Sequence, residues 1–144
     1  MYPKWHILIG AVFFLFLIPF IGALSALIVY LASVLIDFDH YTVYVYRKKG
    51  LSLKKAYNFY MKFEKYKKSG KKGIKLPLNV LHTLEFTIIL GILSFFNYYI
   101  LLIFVGFLFH SLVDLIYMTV KDYTGLREYF FFRWLKNRKN KNYV

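Results

Sequence analysis

The side chains able to do metal or acid–base chemistry are few in this chain, and most of them lie in or beside apolar segments. The 144 residues include seven acidic residues and four histidines. All the histidines and four of the acids fall at such positions: His6, Asp37, Asp39, His40, His82, Glu85, His110 and Asp114. An ionisable side chain in a bilayer costs at least about 2.5 kcal/mol, so it faces a partner or an aqueous cavity.

The spacing of these residues indicates shared helical faces. Residues three or four apart are neighbours on a helix, and three pairs have this spacing: Asp37 with His40, His82 with Glu85, and His110 with Asp114. No Lys or Arg lies inside the apolar segments to neutralise the carboxylates. A bound cation would do so, and histidine with carboxylate is a ligand set for Zn²⁺, Mn²⁺ or Fe²⁺. We predict that the eight residues bind one or two divalent ions, zinc first, with manganese and iron as alternatives.

Some of these residues, taken one at a time, also have simpler interpretations that need no metal. His6 alone could be a polar residue at the lipid–water interface, and Asp39 could be a helix-end residue that faces water. His82 and Glu85 could hydrogen-bond to each other without a metal. His110 and Asp114 are the hardest to explain in this way, because they lie deepest in their apolar segment.

Composition indicates which elements carry these residues. Hydrophobic residues make up 59% of the chain and aromatic residues 22%, and the mean hydropathy is +0.48. This is too apolar for an ordinary soluble domain and too short for two domains. The absence of cysteine excludes disulfides and thiolate metal sites. We therefore predict a single membrane domain over residues 1–144.

The first apolar segment covers residues 5–36. As one helix it would be about 48 Å long, against a hydrocarbon core of about 30 Å. We predict a hairpin broken near Pro19–Gly22, with spans at 6–20 and 21–37, because proline and glycine interrupt helices. The alternatives are one strongly tilted helix or a signal peptide with Lys4 as its charged end and Ile21-Gly22-Ala23 as its cleavage site.

The second apolar segment covers residues 78–120. Its one polar interruption is Asn97-Tyr98-Tyr99. This pattern predicts two further spans, at 78–96 and 98–120, joined by a very short turn. The expected fold is all-α, a four-helix transmembrane bundle.

Charge sets the expected orientation. The net charge is +13, and twelve Lys and Arg stand against the single acid Glu64 in residues 46–75. The basic loop 41–77 and the basic tail 121–144 should both be cytoplasmic, which places both termini inside. Helical spacing of apolar residues in the loop and the tail predicts amphipathic helices at the interface. All eight candidate residues then lie toward the cytoplasmic side of the inner or plasma membrane.

At these residues the chain resembles the YdjM-type inner-membrane proteins, a family of metal-dependent hydrolases. The resemblance lies in Trp5-His6-Ile7-Leu8, in Ile36-Asp37-Phe38-Asp39-His40, and in residues 106–114, which read Gly-Phe-Leu-Phe-His-Ser-Leu-Val-Asp. Ile36 stands where the family has proline. Leu81-His82-Thr83-Leu84-Glu85 offers one histidine where the family's element has two. The resemblance implies a membrane-embedded metal hydrolase.

The predicted chemistry is hydrolysis at the membrane surface. Four residues would hold the first metal, namely His40, His110, Asp114 and Asp37, and the other four would form a second position or an outer shell. The metal would lower the pKa of a bound water toward about 7, with Glu85 or Asp39 as general base.

The basic loop indicates the substrate and partners. Such a loop attracts anionic headgroups at about 1 kcal/mol per basic residue, which favours a phospholipid or another lipid phosphate as substrate. A loop that only fixes topology is the alternative. A nucleic-acid binder can carry similar charge, but the basic residues here flank membrane-length segments, so no nucleic acid is expected.

Two other functions are compatible with the same residues. They could conduct a divalent cation as part of a transporter or channel, which would require a homo-oligomer because four short spans make a poor pore alone. They could also hold together a non-catalytic membrane partner that binds no metal.

Overall fold

The computed structural model describes residues 3–68, 77–122 and 124–139, and the regular structure in these ranges is entirely helical. The α-helices are α1 (Pro3–Ile21), α2 (Ala23–Leu35), α3 (Phe38–Lys48), α4 (Leu53–Lys68), α5 (Leu84–Ser94), α6 (Tyr98–Val120) and α7 (Phe131–Asn137). Short 3₁₀ turns lie at Val80–His82 and Thr124–Leu126. The prediction of an all-α chain is confirmed.

Three helical segments are long and apolar enough to cross a membrane. They are Lys4–Ile21, Ala23–Lys48 and Tyr98–Val120. Their surfaces expose large apolar side chains, for example Leu15 and Leu24 at 64% and 72%. An exposed apolar surface of this extent suits contact with lipid, so the structure supports a membrane protein.

The hairpin between α1 and α2 turns at Gly22. This glycine has a φ of 79°, a conformation that costs glycine little and other residues much more. Pro19 lies inside α1 rather than at the break. The predicted interruption therefore exists, and glycine rather than proline makes it.

The second helical segment extends beyond the predicted span 21–37. After α2 the chain bends at Ile36 and Asp37, where backbone bonds join residues three apart, including Asp39 N–H to the Ile36 carbonyl at 3.2 Å. It then continues as α3 through residues that we expected to begin the loop. Asp37 and Asp39 thus follow directly after the C-terminal end of α2.

The third predicted span, 78–96, is the one that differs most. Thr83 caps the start of α5 by accepting a hydrogen bond from the Phe86 amide. The helix that follows has 11 residues, which corresponds to about 16 Å of rise. The hydrocarbon core is about 30 Å thick. Helix α5 is therefore too short to cross it as the other three segments can, and four full spans are not confirmed.

The long helices pack around α2. Helix α2 contacts both α1 and α6, and α5 packs on α6. The approach of α2 to α6 is closest at Gly106, where an added Cβ would overlap the Val29 carbonyl oxygen and lie 2.8 Å from the Cβ of Ala32. This contact fixes the register between the two helices.

The loop and tail contain helices, as predicted, but the tail is not one continuous helix. Helix α4 packs on α3. In the tail, the 3₁₀ turn after α6 is followed by an irregular stretch and then by α7. The Leu84 amide donates to the Tyr129 carbonyl at 2.8 Å, which docks the tail beside α5. Loop residues 69–76 and tail residues 123 and 140–144 lie outside the described part of the chain.

Candidate metal centre

The structure brings six of the eight predicted residues into one buried cluster, which we call the His/Asp cluster. Their potential ligand atoms form three overlapping groups, each with all atoms within 4.8 Å: His6, Asp37 and His110; Asp37, His40 and His82; and His82, His110 and Asp114. The six come from α1, the α2–α3 region, the 3₁₀ turn before α5, and α6. Segments distant in sequence thus converge at one end of the helices.

Distances within the cluster match those between ligands of one metal ion. The Nε2 atoms of His82 and His110 are 3.3 Å apart, and Asp37 Oδ1 lies 3.6 Å from His110 Nε2 and 3.8 Å from His82 Nε2. Metal–nitrogen bonds of 2.0–2.1 Å in a tetrahedron separate their ligand atoms by roughly 3.3 Å. The spacing therefore fits a divalent cation.

His110 is held in the tautomer that a metal ligand needs. Its Nδ1 lies 2.7 Å from the Ser33 carbonyl oxygen, so Nδ1–H donates and Nε2 keeps a lone pair that faces the cluster. The side chain is fully buried and its ring stacks on that of His6, with centroids 4.1 Å apart. A fixed tautomer of this kind is the usual arrangement behind a metal-binding histidine.

Asp39 belongs to none of the three ligand groups, but its carboxylate lies close to His82. Its Oδ2 accepts a hydrogen bond from the Leu81 amide at 2.8 Å and is 3.6 Å from His82 Nδ1. That last distance is too long for a hydrogen bond, but it places the carboxylate where it can orient the imidazole. Asp39 therefore has the position of an outer-shell carboxylate.

Asn79 is a neighbour of His40 that the sequence did not reveal. The Asn79 amide lies 3.1 Å from His40 Nε2. The amide nitrogen Nδ2 of Asn79 faces the ring and donates to Nε2, and His40 Nδ1 faces Asp37 Oδ1, 3.5 Å away. Nothing about an asparagine after Pro77 and Leu78 marked it in advance.

Arg127 corrects the expectation that the carboxylates of the cluster lack a basic partner. Its Nη1 donates to Asp114 Oδ2 at 2.7 Å. The expectation considered only residues inside the spans, and Arg127 reaches the cluster from the tail. In the described ranges, the basic side chains within ion-pair distance of Asp37 are all histidines: His6, His40, His82 and His110.

One buried imidazole nitrogen that faces Asp37 supports the fit to a metal. His40 Nδ1 has no hydrogen-bond partner, which is costly for a buried polar atom. In the described part of the chain, three aspartates lie at the cluster and one arginine, Arg127, contacts it. Neutral imidazoles with excess carboxylate form a donor set that a divalent cation stabilises.

Two tyrosines border this region from the loop and the tail. The Tyr60 ring lies edge-on to that of His40, with centroids 4.9 Å apart, and burial raises the pKa of the Tyr60 hydroxyl. Burial also raises the pKa of Tyr129, whose hydroxyl faces the sulfur of Met118. Both phenols therefore stay protonated at neutral pH and do not act there as bases.

Glu85 is in none of the three groups, although we predicted it as a ligand or general base. Its carboxylate accepts hydrogen bonds from the backbone amides of Phe131 and Phe132, at 2.9 and 3.3 Å. These amides begin α7. Glu85 therefore anchors the tail to α5, and its spacing from His82 does not bring it into the cluster.

Replacing Glu85 by alanine should release the tail and leave metal binding in place. The variant loses two hydrogen bonds to a charged acceptor, which contribute about 1.5–3 kcal/mol each. We expect faster proteolysis after the basic residues of α7, measured by limited trypsin digestion in detergent. Unchanged digestion, or loss of metal with the tail still protected, would contradict this role.

Comparison with protein-family models, with curated proteins and with solved structures finds no match in any of the three. The fold and the cluster therefore define this protein by themselves, as a helical membrane protein with a buried His/Asp site at one end of its helices.

Proposed function

We propose that this protein is a membrane-embedded, metal-dependent hydrolase that acts on a phosphoester at the cytoplasmic face of the membrane. The observation that carries the proposal is the convergence of six His and Asp side chains, from four separate segments, within ligand distance of one another. A cluster that only joined helices would pair its charges. Here Asp37 has only histidines as ion-pair partners in the described part of the chain.

A bound divalent cation would supply an activated water and polarise the phosphoryl oxygen. The protein's own side chains prepare the site for it. Ser33 fixes the tautomer of His110 through its carbonyl, and the Asp39 carboxylate lies 3.6 Å from His82 Nδ1. Arg127 holds one oxygen of Asp114, so that the other, 3.2 Å from His6 Nε2, remains directed at the cluster. We assign to Asp114 the acceptance of the proton from the attacking water, in place of Glu85 and Asp39.

The position of the cluster supports a lipid substrate. It lies away from the two turns at Gly22 and Asn97, toward the other side of the helices, and we infer that it is reached from that side of the membrane. His110 and Asp114 are about 16 Å and 10 Å along α6 from Lys121. A phosphate at the headgroup level of a lipid can reach that depth, whereas a bulky soluble substrate would have to enter the bilayer.

The charge around the cluster supports an anionic substrate. Exposed basic residues end α3 and continue along α4: Arg47, Lys48, Lys54, Lys55 and Lys62. Helix α4 also carries Tyr60, which contacts His40. Basic residues near a membrane surface attract anionic headgroups. From the positive-inside rule we infer that this surface is cytoplasmic.

The test is hydrolysis by purified protein in vesicles of phosphatidylcholine that contain phosphatidic acid or an isoprenyl phosphate. We expect phosphate release that requires Zn²⁺ or Mn²⁺, stops on chelation and is absent in His110→Gln. A protein that binds metal and moves it across the vesicle membrane without hydrolysis would establish the transporter function instead. A folded protein that binds no metal would leave a structural cluster.

A further inference from the structure

We infer that the His/Asp cluster binds two metal ions with Asp37 as the bridging ligand, His6 on the side of its Oδ2 and His40 and His82 on the side of its Oδ1. This inference rests on the proposed metal-dependent function and deepens it, because it assigns the number of ions and the residue that joins them.

The overlap of the groups favours two ions over one. Two ligands on opposite sides of one ion lie at most roughly 4.2 Å apart when the bonds are 2.0–2.1 Å. Each group of atoms within 4.8 Å holds three of the six residues, and neither His6 nor Asp114 shares a group with His40. One ion would therefore use about half of the donors.

The identity of the shared residue selects the bridge. Two of the three groups share His110, two share His82 and two share Asp37. The Nδ1 atom of His110 is bonded to the Ser33 carbonyl, and that of His82 faces Asp39, so each imidazole has one nitrogen for one ion. Only a carboxylate offers two oxygens to two ions.

The two oxygens of Asp37 face different histidines. Oδ2 lies 4.0 Å from His6 Nε2, and Oδ1 lies 3.5 Å from His40 Nδ1 and 3.8 Å from His82 Nε2. The Nε2 atom of His110 lies 3.6 Å from Oδ1. Asp37 can face both sides because it sits at the bend between α2 and α3 and its carboxylate makes no helix-capping hydrogen bond. The bend thus directs a carboxylate into the cluster at the position where a capping aspartate would bond to its own helix.

The exposed fractions of the ligand side chains indicate that the second ion would be the one accessible to solvent. The side chains of Asp37 and His40 are 24% and 31% exposed, whereas those of His6, His82 and His110 are almost completely buried. Among the described residues, three aspartates and Arg127 carry the formal charges at the cluster, and two divalent ions would make this set positive. A positive site with one accessible ion suits an anionic phosphoester.

The test measures metal stoichiometry and coupling rather than activity. Purified protein is saturated with Mn²⁺, passed through a desalting column, and examined by elemental analysis and electron paramagnetic resonance. We expect two equivalents of Mn²⁺ and the spectrum of an exchange-coupled pair. His40→Ala should retain one equivalent with the spectrum of an isolated ion, and Asp37→Asn should lose the coupling. Glu85→Ala is the matched control and should keep the coupled pair.

The outcomes separate this inference from the proposed function. One equivalent at saturation in wild-type protein, or two equivalents without coupling, would overturn the bridged pair and leave a metal-dependent hydrolase standing. Binding of no metal would overturn both. His40 is the most exposed of the four histidines, so its removal is the least disruptive to folding, and gel filtration confirms that each variant remains monodisperse.

Discussion

Replacing His110 by glutamine should remove bound metal while the protein remains folded. His110 belongs to two of the three ligand groups and is almost fully buried. Loss of an outer-shell partner alone typically lowers metal affinity 10–100-fold, so we expect loss of a ligand to cost more than about 100-fold. Elemental analysis after desalting measures the effect, and hydrolysis of the vesicle substrates should fall in parallel.

Glutamine is chosen because it separates ligation from packing. Its amide can still donate to the Ser33 carbonyl, and it fills more of the space than alanine, which would leave a cavity. The control is Leu112→Ala on the same helix, since Leu112 is 56% exposed and points away from the cluster. If His110→Gln kept its metal and remained as active as Leu112→Ala, His110 would not be a ligand.

The sequence predicts best those parts of this protein in which a long apolar segment contains only a few polar residues. Helix α6 coincides with the predicted span 98–120, because the segment is uniformly apolar and Asn97 caps its start by accepting hydrogen bonds from the Tyr99 and Ile100 amides. Within such a segment an ionisable side chain is conspicuous, so His110 and Asp114 could be identified from type and spacing alone.

Spacing along one helix was a weaker guide where the helix was short. His82 and Glu85 are three residues apart, which would place them on one face of a continuous helix. Instead, His82 lies in a 3₁₀ turn and Thr83 starts a new helix. The break at Thr83 turns Glu85 toward the tail, and periodicity could not locate a break that one threonine cap creates.

Contacts with the tail were beyond what local pattern could predict. Arg127 and Glu128 follow a 3₁₀ turn in a basic stretch that resembles a solvated tail. Yet Arg127 pairs with Asp114, and Glu128 is buried and bonded to Arg133 Nη2 at 2.6 Å. These pairs depend on the fold of the tail back onto α5 and α6, so only the tertiary structure shows that a cation reaches the cluster.

Replacing Gly106 by alanine should weaken both the fold and the metal site. The added methyl group would overlap the Val29 carbonyl and lie 2.8 Å from Ala32 Cβ, so α6 must move away from α2. Overpacking of this kind typically costs about 1–3 kcal/mol, and a clash with backbone cannot be relieved by a side-chain rotation. We expect the thermal unfolding midpoint in detergent to fall by at least about 4 °C.

The same displacement should reach the metal, because His110 lies one turn after Gly106 on α6. Its hydrogen bond to the Ser33 carbonyl joins α6 to α2 at 2.7 Å, so separation of the helices releases the imidazole and should lower metal affinity as well as stability. The matched control is Gly91→Ala in α5, where the nearest atom to an added Cβ belongs to the Phe104 ring at 3.1 Å. That ring can rotate, and alanine favours a helix over glycine by about 1 kcal/mol, so this variant should keep its stability and its metal. Equal behaviour of the two variants would show that the α2–α6 contact does not position the cluster.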